Sequence, residues 1–207
     1  MNWLLVLLII AGAILTIWAS HERRQHAVYV FKPLTTILIL ILALVHGEPT
    51  LYRTLITFGL FFSLLGDIFL MLPDDHFLMG LISFLLAHLV YIGAFGLGAG
   101  WAVYALVLPP FLLFGGAVWY LLSPRLGKMR LPAFVYMLAI LLMGWQAANQ
   151  MLATGTTAAL MALAGALLFL VSDSVLALNR FRKAVPAAQV IILSTYYAAQ
   201  MLIALST

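Results

Sequence analysis

The chain contains no cysteine among its 207 residues and very little charge of either sign. The missing cysteines exclude disulfide bonds, thiolate metal sites and cysteine nucleophiles. A phosphate-binding loop, a dinucleotide-binding fingerprint and a G-x-S-x-G elbow are also missing from the sequence. No spacing of His, Asp and Glu is typical of a metal site, and the nearest case, His76 after Asp74 and Asp75, is weak. We therefore predict neither a metal ion nor a cofactor.

Apolar residues dominate the composition. They make up 66% of the chain and charged residues 8%, against about 25% charged in a soluble domain, so a polar surface cannot cover the molecule. We predict an all-α bundle of eight transmembrane helices that forms one integral membrane domain over residues 1–207. The Pro109-Pro110 pair inside the fifth span predicts a kink. The predicted spans are about 3–19, 28–45, 51–72, 77–97, 101–122, 131–150, 156–178 and 185–205.

The basic residues indicate an orientation. Loops one, five and seven carry nearly all Lys and Arg, and only Arg53 falls in a loop on the other side. Because basic loops stay in the cytoplasm, both termini are predicted outside it, as in a bacterial inner membrane protein. Asp74 and Asp75 in loop three count little in this rule. The net charge of +4 then reflects topology and not a nucleic-acid partner.

One short pattern occurs twice. Residues 61–72 read FFSLLGDIFLML around Asp67, and residues 167–178 read LLFLVSDSVLAL around Asp173. The patterns lie four spans apart, in the third and seventh spans, so both helices run in the same direction, which suggests a parallel duplication with halves 1–98 and 99–207. Both carboxyl groups would then lie at similar depth near the cytoplasmic ends of their helices. Coincidence among leucine-rich helices is the alternative.

A charged side chain inside a bilayer helix is costly, so it usually lines a protein interior or a pathway. If Asp67 and Asp173 meet there, one is expected to carry a proton beside an ionised partner, which suits general acid–base catalysis. The structural alternative is that each aspartate caps a helix end or pairs with an arginine.

Five further side chains are candidates for the same interior. His88 and Tyr91 share one face of the fourth span, where His88 is either a cavity residue or a bonded interior group. Tyr196 lies in the matching part of the last span, and Tyr136 near the inner end of the sixth. Lys32 begins the second span, where it pairs with a buried carboxylate, binds a lipid phosphate or extends to the headgroups.

Several of these residues occur in motifs that resemble the YhhN family, small polytopic membrane proteins that include the animal lysoplasmalogenases. The similarity covers nearly the whole chain and implies an eight-span fold. It also implies hydrolysis of the vinyl ether bond of a lysoplasmalogen to a fatty aldehyde and glycerophospho-ethanolamine or -choline. The implied functional positions are Asp67 and Asp173, with His88 and Lys32. The motifs are Phe31-Lys32-Pro33, Leu65-Gly66-Asp67, Phe84 with His88 and Tyr91, and Phe169 to Asp173.

The implied chemistry agrees with the residues. Vinyl ethers are cleaved by proton transfer to the β-carbon, which forms an oxocarbenium-like cation as in glycoside hydrolysis, where two carboxyl groups cooperate. Our hypothesis is that one aspartate is the acid and the other the base, in a cavity open to membrane lipids. A lysophospholipid substrate would contact Lys32, which would bind its phosphate, and three tyrosines. These are Tyr91, Tyr136 and Tyr196.

Three other functions remain open at this point. An intramembrane aspartyl protease also uses two membrane aspartates, but it typically carries Gly-x-Gly-Asp where this chain has Leu64-Leu65-Gly66-Asp67. A transporter or lipid flippase also combines parallel repeats with polar groups inside the membrane. The third alternative is a non-catalytic lipid-binding protein.

Overall fold

Helices form almost the whole of the computed structural model, which describes residues 3–73 and 76–207. Asp74 and Asp75 lie outside these described residues. Within them, eight helices are long and apolar enough to cross a membrane. The protein is thus an integral membrane protein with the predicted number of spans. The helices are α1 (Trp3–His21), α2 (Gln25–Val45), α3 (Leu51–Met71), α4 (Phe77–Gly98), α5 (Leu108–Leu122), α6 (Arg130–Thr154), α7 (Thr157–Phe181) and α8 (Ala188–Leu205).

The fifth span differs from its prediction. It was expected from residue 101 with a kink at Pro109-Pro110, but α5 begins at Leu108, after a single 3-10 turn at Ala105–Val107. The two prolines therefore lie in the first turn of α5. Backbone N–H groups have no helical acceptor in a first turn, so proline starts the helix there and does not bend it.

Seven of the helices close into a ring. Around it, α1 packs on α2, α2 on α3, α3 on α4, α4 on α6, α6 on α7, α7 on α8, and α8 returns to α1 and α2. Helix α5 is outside this ring and packs mainly on α6 and α7. The interior of the ring is where polar side chains on α2, α3, α4, α6, α7 and α8 can meet.

The two aspartate helices begin in the same way. Thr50 precedes α3 and accepts a hydrogen bond from the backbone N–H of Arg53 at 3.2 Å, and Thr156 does the same for Ala159 in α7 at 3.1 Å. Such caps satisfy an N–H that the first turn leaves without a helical acceptor. Matching caps accompany the matching aspartate patterns, while the duplication itself remains a prediction.

Candidate active site

Asp67 lies one turn before the end of α3, and 1% of the residue is exposed. The residue before it, Gly66, allows α4 to approach closely. A Cβ atom at Gly66 would lie 2.6 Å from the ring of Phe84, closer than real side chains come. The glycine therefore lets the Phe84 ring pack directly against the backbone beside Asp67.

Three donors surround the Asp67 carboxylate. Lys32 Nζ lies 3.2 Å from Oδ1, while Thr36 Oγ1 and the Tyr196 hydroxyl donate to Oδ2 at 2.6 and 2.7 Å. Of the alternatives for Lys32, the structure therefore has the ion pair with a buried carboxylate. The lysine side chain is 13% exposed, so the pair is largely shielded from solvent and balances the charge inside the bundle.

Thr36 was missed in the sequence analysis. It lies four residues after Lys32 on α2, and residues four apart share one face of a helix. Thr35, three residues after Lys32, meets the same rule, so the spacing offers two threonines. In the structure Thr36 bonds Asp67, whereas Thr35 donates to the backbone carbonyl of Phe31.

Asp173 has a different environment on α7. It is half-buried, about two turns before the end of the helix, which extends to Phe181 and not to the predicted residue 178. The Tyr136 hydroxyl of α6 donates a hydrogen bond to its Oδ2. Within the described residues Asp173 forms no ion pair, so neither the helix-cap nor the arginine alternative describes it.

The residue before Asp173 also differs from its counterpart. Where the first pattern has Gly66, the second has Ser172, whose hydroxyl donates to the backbone carbonyl of Ile192 in α8 at 3.1 Å. Ser172 is buried, so the hydrogen bond satisfies a hydroxyl that would otherwise be costly to bury. Gly66 therefore leaves room for an aromatic ring, whereas Ser172 forms a hydrogen bond with a backbone carbonyl.

Five aromatic side chains, the aromatic cluster, connect the two carboxyl groups. Tyr196, which bonds Asp67, has its ring centroid 5.5 Å from Phe169 and 5.9 Å from Phe84. His88 lies 4.8 Å from Phe169 and 5.1 Å from Tyr136, which bonds Asp173. Edge-to-face contacts at these distances favour fixed ring positions. The cluster consists of Phe84, His88, Tyr136, Phe169 and Tyr196.

His88 and Tyr91 are fully buried, with 0% of either residue exposed. Tyr91 donates its hydroxyl to Oε1 of Gln200 at 2.9 Å, and it borders neither cavity described below. The contact of Tyr91 with substrate stays a prediction. His88 also borders neither cavity, and neither ring nitrogen has a hydrogen-bond partner among the described residues. Its contact with Tyr136 makes it a neighbour of the site.

A cavity of about 800 Å³, the polar cavity, contains both carboxyl groups in its lining. Its walls come from α2, α3, α7 and α8, with contributions from the ends of α1 and α4. Lys32 and Tyr196 border it beside Asp67 and Asp173. Two arginines near helix ends, Arg23 and Arg180, also line it. The buried acid groups therefore connect to a basic end of the bundle.

A second cavity, the apolar cavity, adjoins the first. It is a narrow cleft of about 80 Å³ lined by residues of α3, α4, α5, α6 and α7, and nearly all of its lining is hydrocarbon or aromatic. Asp173 and Tyr136 are among its few polar side chains. Five residues line both cavities: Leu70, Phe77, Phe84, Asp173 and Leu176. Asp173 therefore lies at the junction between a polar and an apolar compartment.

This arrangement is suited to acid–base chemistry on an amphiphile. One carboxyl group is paired with a cation and the other accepts from a single phenol, so the two have different electrostatic surroundings. In residues 3–73 and 76–207, no three His, Asp or Glu side chains group together as a metal site would require. His76, the weak candidate from the sequence, directs Nδ1 to the Pro73 carbonyl at 2.8 Å.

Several known proteins are similar to this chain over most of its length. The YhhN family matches residues 27–207. Lysoplasmalogenase TMEM86A of Bos taurus is 35% identical over 199 residues, which cover 92% of this chain and 82% of the relative. Lysoplasmalogenase TMEM86B of Homo sapiens is 38% identical over 159 residues, or 75% and 64% of the two chains. The membrane protein YhhN of Escherichia coli O157:H7 is 31% identical over 93% of this chain and 92% of its own. No solved structure matches.

Proposed function

Since this chain belongs to the YhhN family, we propose that it is a membrane hydrolase that cleaves the vinyl ether bond of lysoplasmalogens. Its animal relatives are named lysoplasmalogenases and align with most of its length. The observation that carries the proposal to this chain is the position of Asp173, which borders both a polar and an apolar cavity. A vinyl ether in a lysophospholipid likewise lies where the polar headgroup meets the hydrocarbon chain.

The two aspartates have different roles in this proposal. Asp67 has Lys32 as its counter-ion and two hydroxyl donors, all of which stabilise the ionised form. Asp173 has one phenolic donor and no cation among the described residues, so it is the group able to carry a proton. We therefore assign Asp173 as the general acid. Asp67 is the carboxylate that stabilises positive charge.

The reaction begins with proton transfer from Asp173 to the β-carbon of the vinyl ether, which leaves an oxocarbenium ion and an Asp173 carboxylate. The negative charge of Asp67 stabilises this cation, as the second carboxylate does in glycoside hydrolysis. Water adds to the α-carbon and gives its proton to Asp173, which restores the acid. The resulting hemiacetal moves its hydroxyl proton to the glyceryl oxygen as the C–O bond breaks. The products are a fatty aldehyde and the glycerophospho-alcohol.

The neighbouring side chains position these two groups. Tyr136 orients Asp173, and Tyr196 and Thr36 orient Asp67. His88 acts through the Tyr136 ring as a positioning residue, since it is fully buried and borders neither cavity.

The headgroup occupies the polar cavity in this proposal. Lys32 has three N–H donors, so it can hold Asp67 and still donate to a phosphate, and Arg23 adds a second cation to the cavity wall. The same end carries the basic loops, which we assign to the cytoplasm, with both termini outside and a bacterial inner membrane as the location. Membrane lipids then surround the bundle and supply the substrate.

The test is aldehyde release from lysoplasmalogen by the purified full chain in nanodiscs. The expected result is one aldehyde per glycerophospho-alcohol, with Asp67→Asn and Asp173→Asn both strongly impaired. The matched control is a surface Leu112→Asn variant, because Leu112 is exposed on α5 and borders neither cavity. Full activity in both aspartate variants would refute the mechanism. Transbilayer movement of the lipid with no product formed would instead identify a flippase.

A further inference from the structure

Two buried polar side chains in the middle of the bundle have atoms that lack a hydrogen-bond partner. Ser63 on α3 and Gln200 on α8 are both 0% exposed. Among the described residues, neither Oγ of Ser63 nor Nε2 of Gln200 has a hydrogen-bond partner. Buried polar groups in proteins are nearly always hydrogen-bonded, so these two atoms require a partner from outside the chain.

Ser63 and Gln200 lie in the same layer of the bundle. The hydroxyl of Tyr196 on α8 donates to Asp67 on α3 at 2.7 Å, and these two helices run in opposite directions because they are the third and the eighth spans. Ser63 lies four residues before Asp67, and Gln200 lies four residues after Tyr196. Each is therefore one helical turn from the hydrogen-bonded pair, on the same side of it.

The contact between α3 and α4 leaves room in this layer. On either side of Ser63, an aromatic ring of α4 packs so closely on a glycine of α3 that a Cβ atom there would overlap it. The two pairs are Phe84 with Gly66 and Tyr91 with Gly59. With this register, Ala87 is the residue of α4 that faces Ser63, and it is also 0% exposed. Two small side chains thus face each other between two rings, so their layer has less side-chain volume than its neighbours.

Tyr91 supplies a third polar group to the layer. Its hydroxyl donates to Oε1 of Gln200 at 2.9 Å, and its ring lies against α3 one turn from Ser63. A buried water typically has two to four polar partners. The Ser63 hydroxyl, the Gln200 amide and the Tyr91 oxygen provide that number, with both donors and acceptors. None of the three groups is ionised, which favours a neutral ligand.

We propose that Ser63, Tyr91 and Gln200 hold an ordered water molecule one helical turn from Asp67. The water accepts from Nε2 of Gln200 and donates to the oxygens of Ser63 and Tyr91. The three residues border neither cavity, so this water is separate from the one that the reaction consumes. The water site is also independent of the proposed function.

The variant Ser63→Ala tests the site by thermal unfolding of the full chain in detergent. Loss of a hydroxyl that holds a buried water leaves the water with one partner fewer, so Tm should fall by about 2–4 °C. Loss of a hydroxyl that bonds nothing would leave Tm unchanged or raise it, and that result would overturn the proposal. The matched control is Ser83→Ala, which should lower Tm less. Ser83 is also buried, but it donates to the Met79 carbonyl of its own helix at 2.9 Å.

The double variant Ser63→Ala with Gln200→Met tests whether the two side chains share one ligand. They form no direct hydrogen bond with each other, so without a water their Tm losses should add. With a shared water, the combined loss should be smaller than the sum by about 2 °C or more, because either change alone already weakens the binding of the water. Additive losses would contradict a bridging water.

Radiolytic footprinting tests the site in the folded wild-type protein. X-rays form hydroxyl radicals from ordered water, and these radicals oxidise the nearest side chain. Tyr91 should therefore be oxidised although it is 0% exposed. Phe95 is the internal control, because it is equally buried and stacks on Tyr91 with the ring centroids 6.1 Å apart. Absence of oxidation at Tyr91, or equal oxidation of both rings, would overturn the water site.

Discussion

The two aspartate sites have similar sequences but different surroundings. Asp67 is 1% exposed and accepts from a lysine, a threonine and a tyrosine on two other helices. Asp173 is half-buried and accepts from a single tyrosine on the neighbouring helix. Asp67 thus has a cation beside its charge, whereas Asp173 contacts only a neutral donor. Similar motifs in one chain can therefore supply the two different partners that acid catalysis needs.

The largest expected effect is that of Asp173→Asn. General acids typically contribute 10²- to 10⁴-fold, so kcat for aldehyde release should fall by about 10³-fold. Thermal stability should change little, because an amide is close to the carboxyl group in size and still accepts from Tyr136. Single-turnover kinetics with an aldehyde probe, beside a melting curve, measures both. Activity within about threefold of wild type would remove Asp173 from the proton-transfer step.

Breaking the ion pair between Lys32 and Asp67 should lower stability as well as activity. Lys32→Met leaves Asp67 buried without its cation, which is expected to cost about 3–5 kcal/mol. The double variant Lys32→Met with Asp67→Asn removes both charges and should recover much of that stability while activity stays low. Thermal unfolding in detergent, followed with the aldehyde assay, separates the two quantities. An additive loss in the double variant would mean that the two side chains are not coupled.

Tyr136 and Tyr196 allow a matched test of the difference between the two aspartate sites. Tyr136→Phe removes the one donor to Asp173, whereas Tyr196→Phe removes one of three donors to Asp67. Hydrogen bonds to charged groups are worth about 1.5–3 kcal/mol, so Tyr136→Phe should lower kcat by about tenfold or more. Tyr196→Phe should lower it less, because Lys32 and Thr36 still hold Asp67. KM should stay close to the wild-type value for both, and the reverse ranking would contradict the assignment.

The smallest expected effects concern the residues that precede the aspartates. Gly66→Ala forces the Phe84 ring to move, at a cost of about 1–3 kcal/mol. Ser172→Ala removes one hydrogen bond to Ile192 and leaves its carbonyl with a helical donor, so about 1 kcal/mol is expected. Melting temperatures of the two variants, compared with wild type, measure the difference. Equal stability of Gly66→Ala and wild type would show that the ring is not constrained by the glycine.

Much of this architecture could be predicted from sequence because membrane helices carry a strong local signal. Hydropathy determined the spans, and most observed ends lie within a few residues of those predicted. The exception was α5, where a proline pair reads equally well as a kink or as a helix start. The proline pair would bend the helix only if residues 101–107 were also helical. The turn at Gly100 and Trp101, both with positive φ, prevents a helix there.

The sequence by itself determined that Asp67 and Asp173 lie within membrane spans, because each interrupts a long apolar stretch. Only the tertiary structure decided what each carboxyl group contacts. In the sequence, Lys32 was compatible with an ion pair, with a lipid phosphate and with extension to the headgroups. Tyr91 and Tyr136 were equal candidates, because helical spacing specifies a face and not its neighbour. The packing of α2 on α3 brings Lys32 to Asp67, and the packing of α6 on α7 brings Tyr136 to Asp173. The two aspartates therefore have different partners.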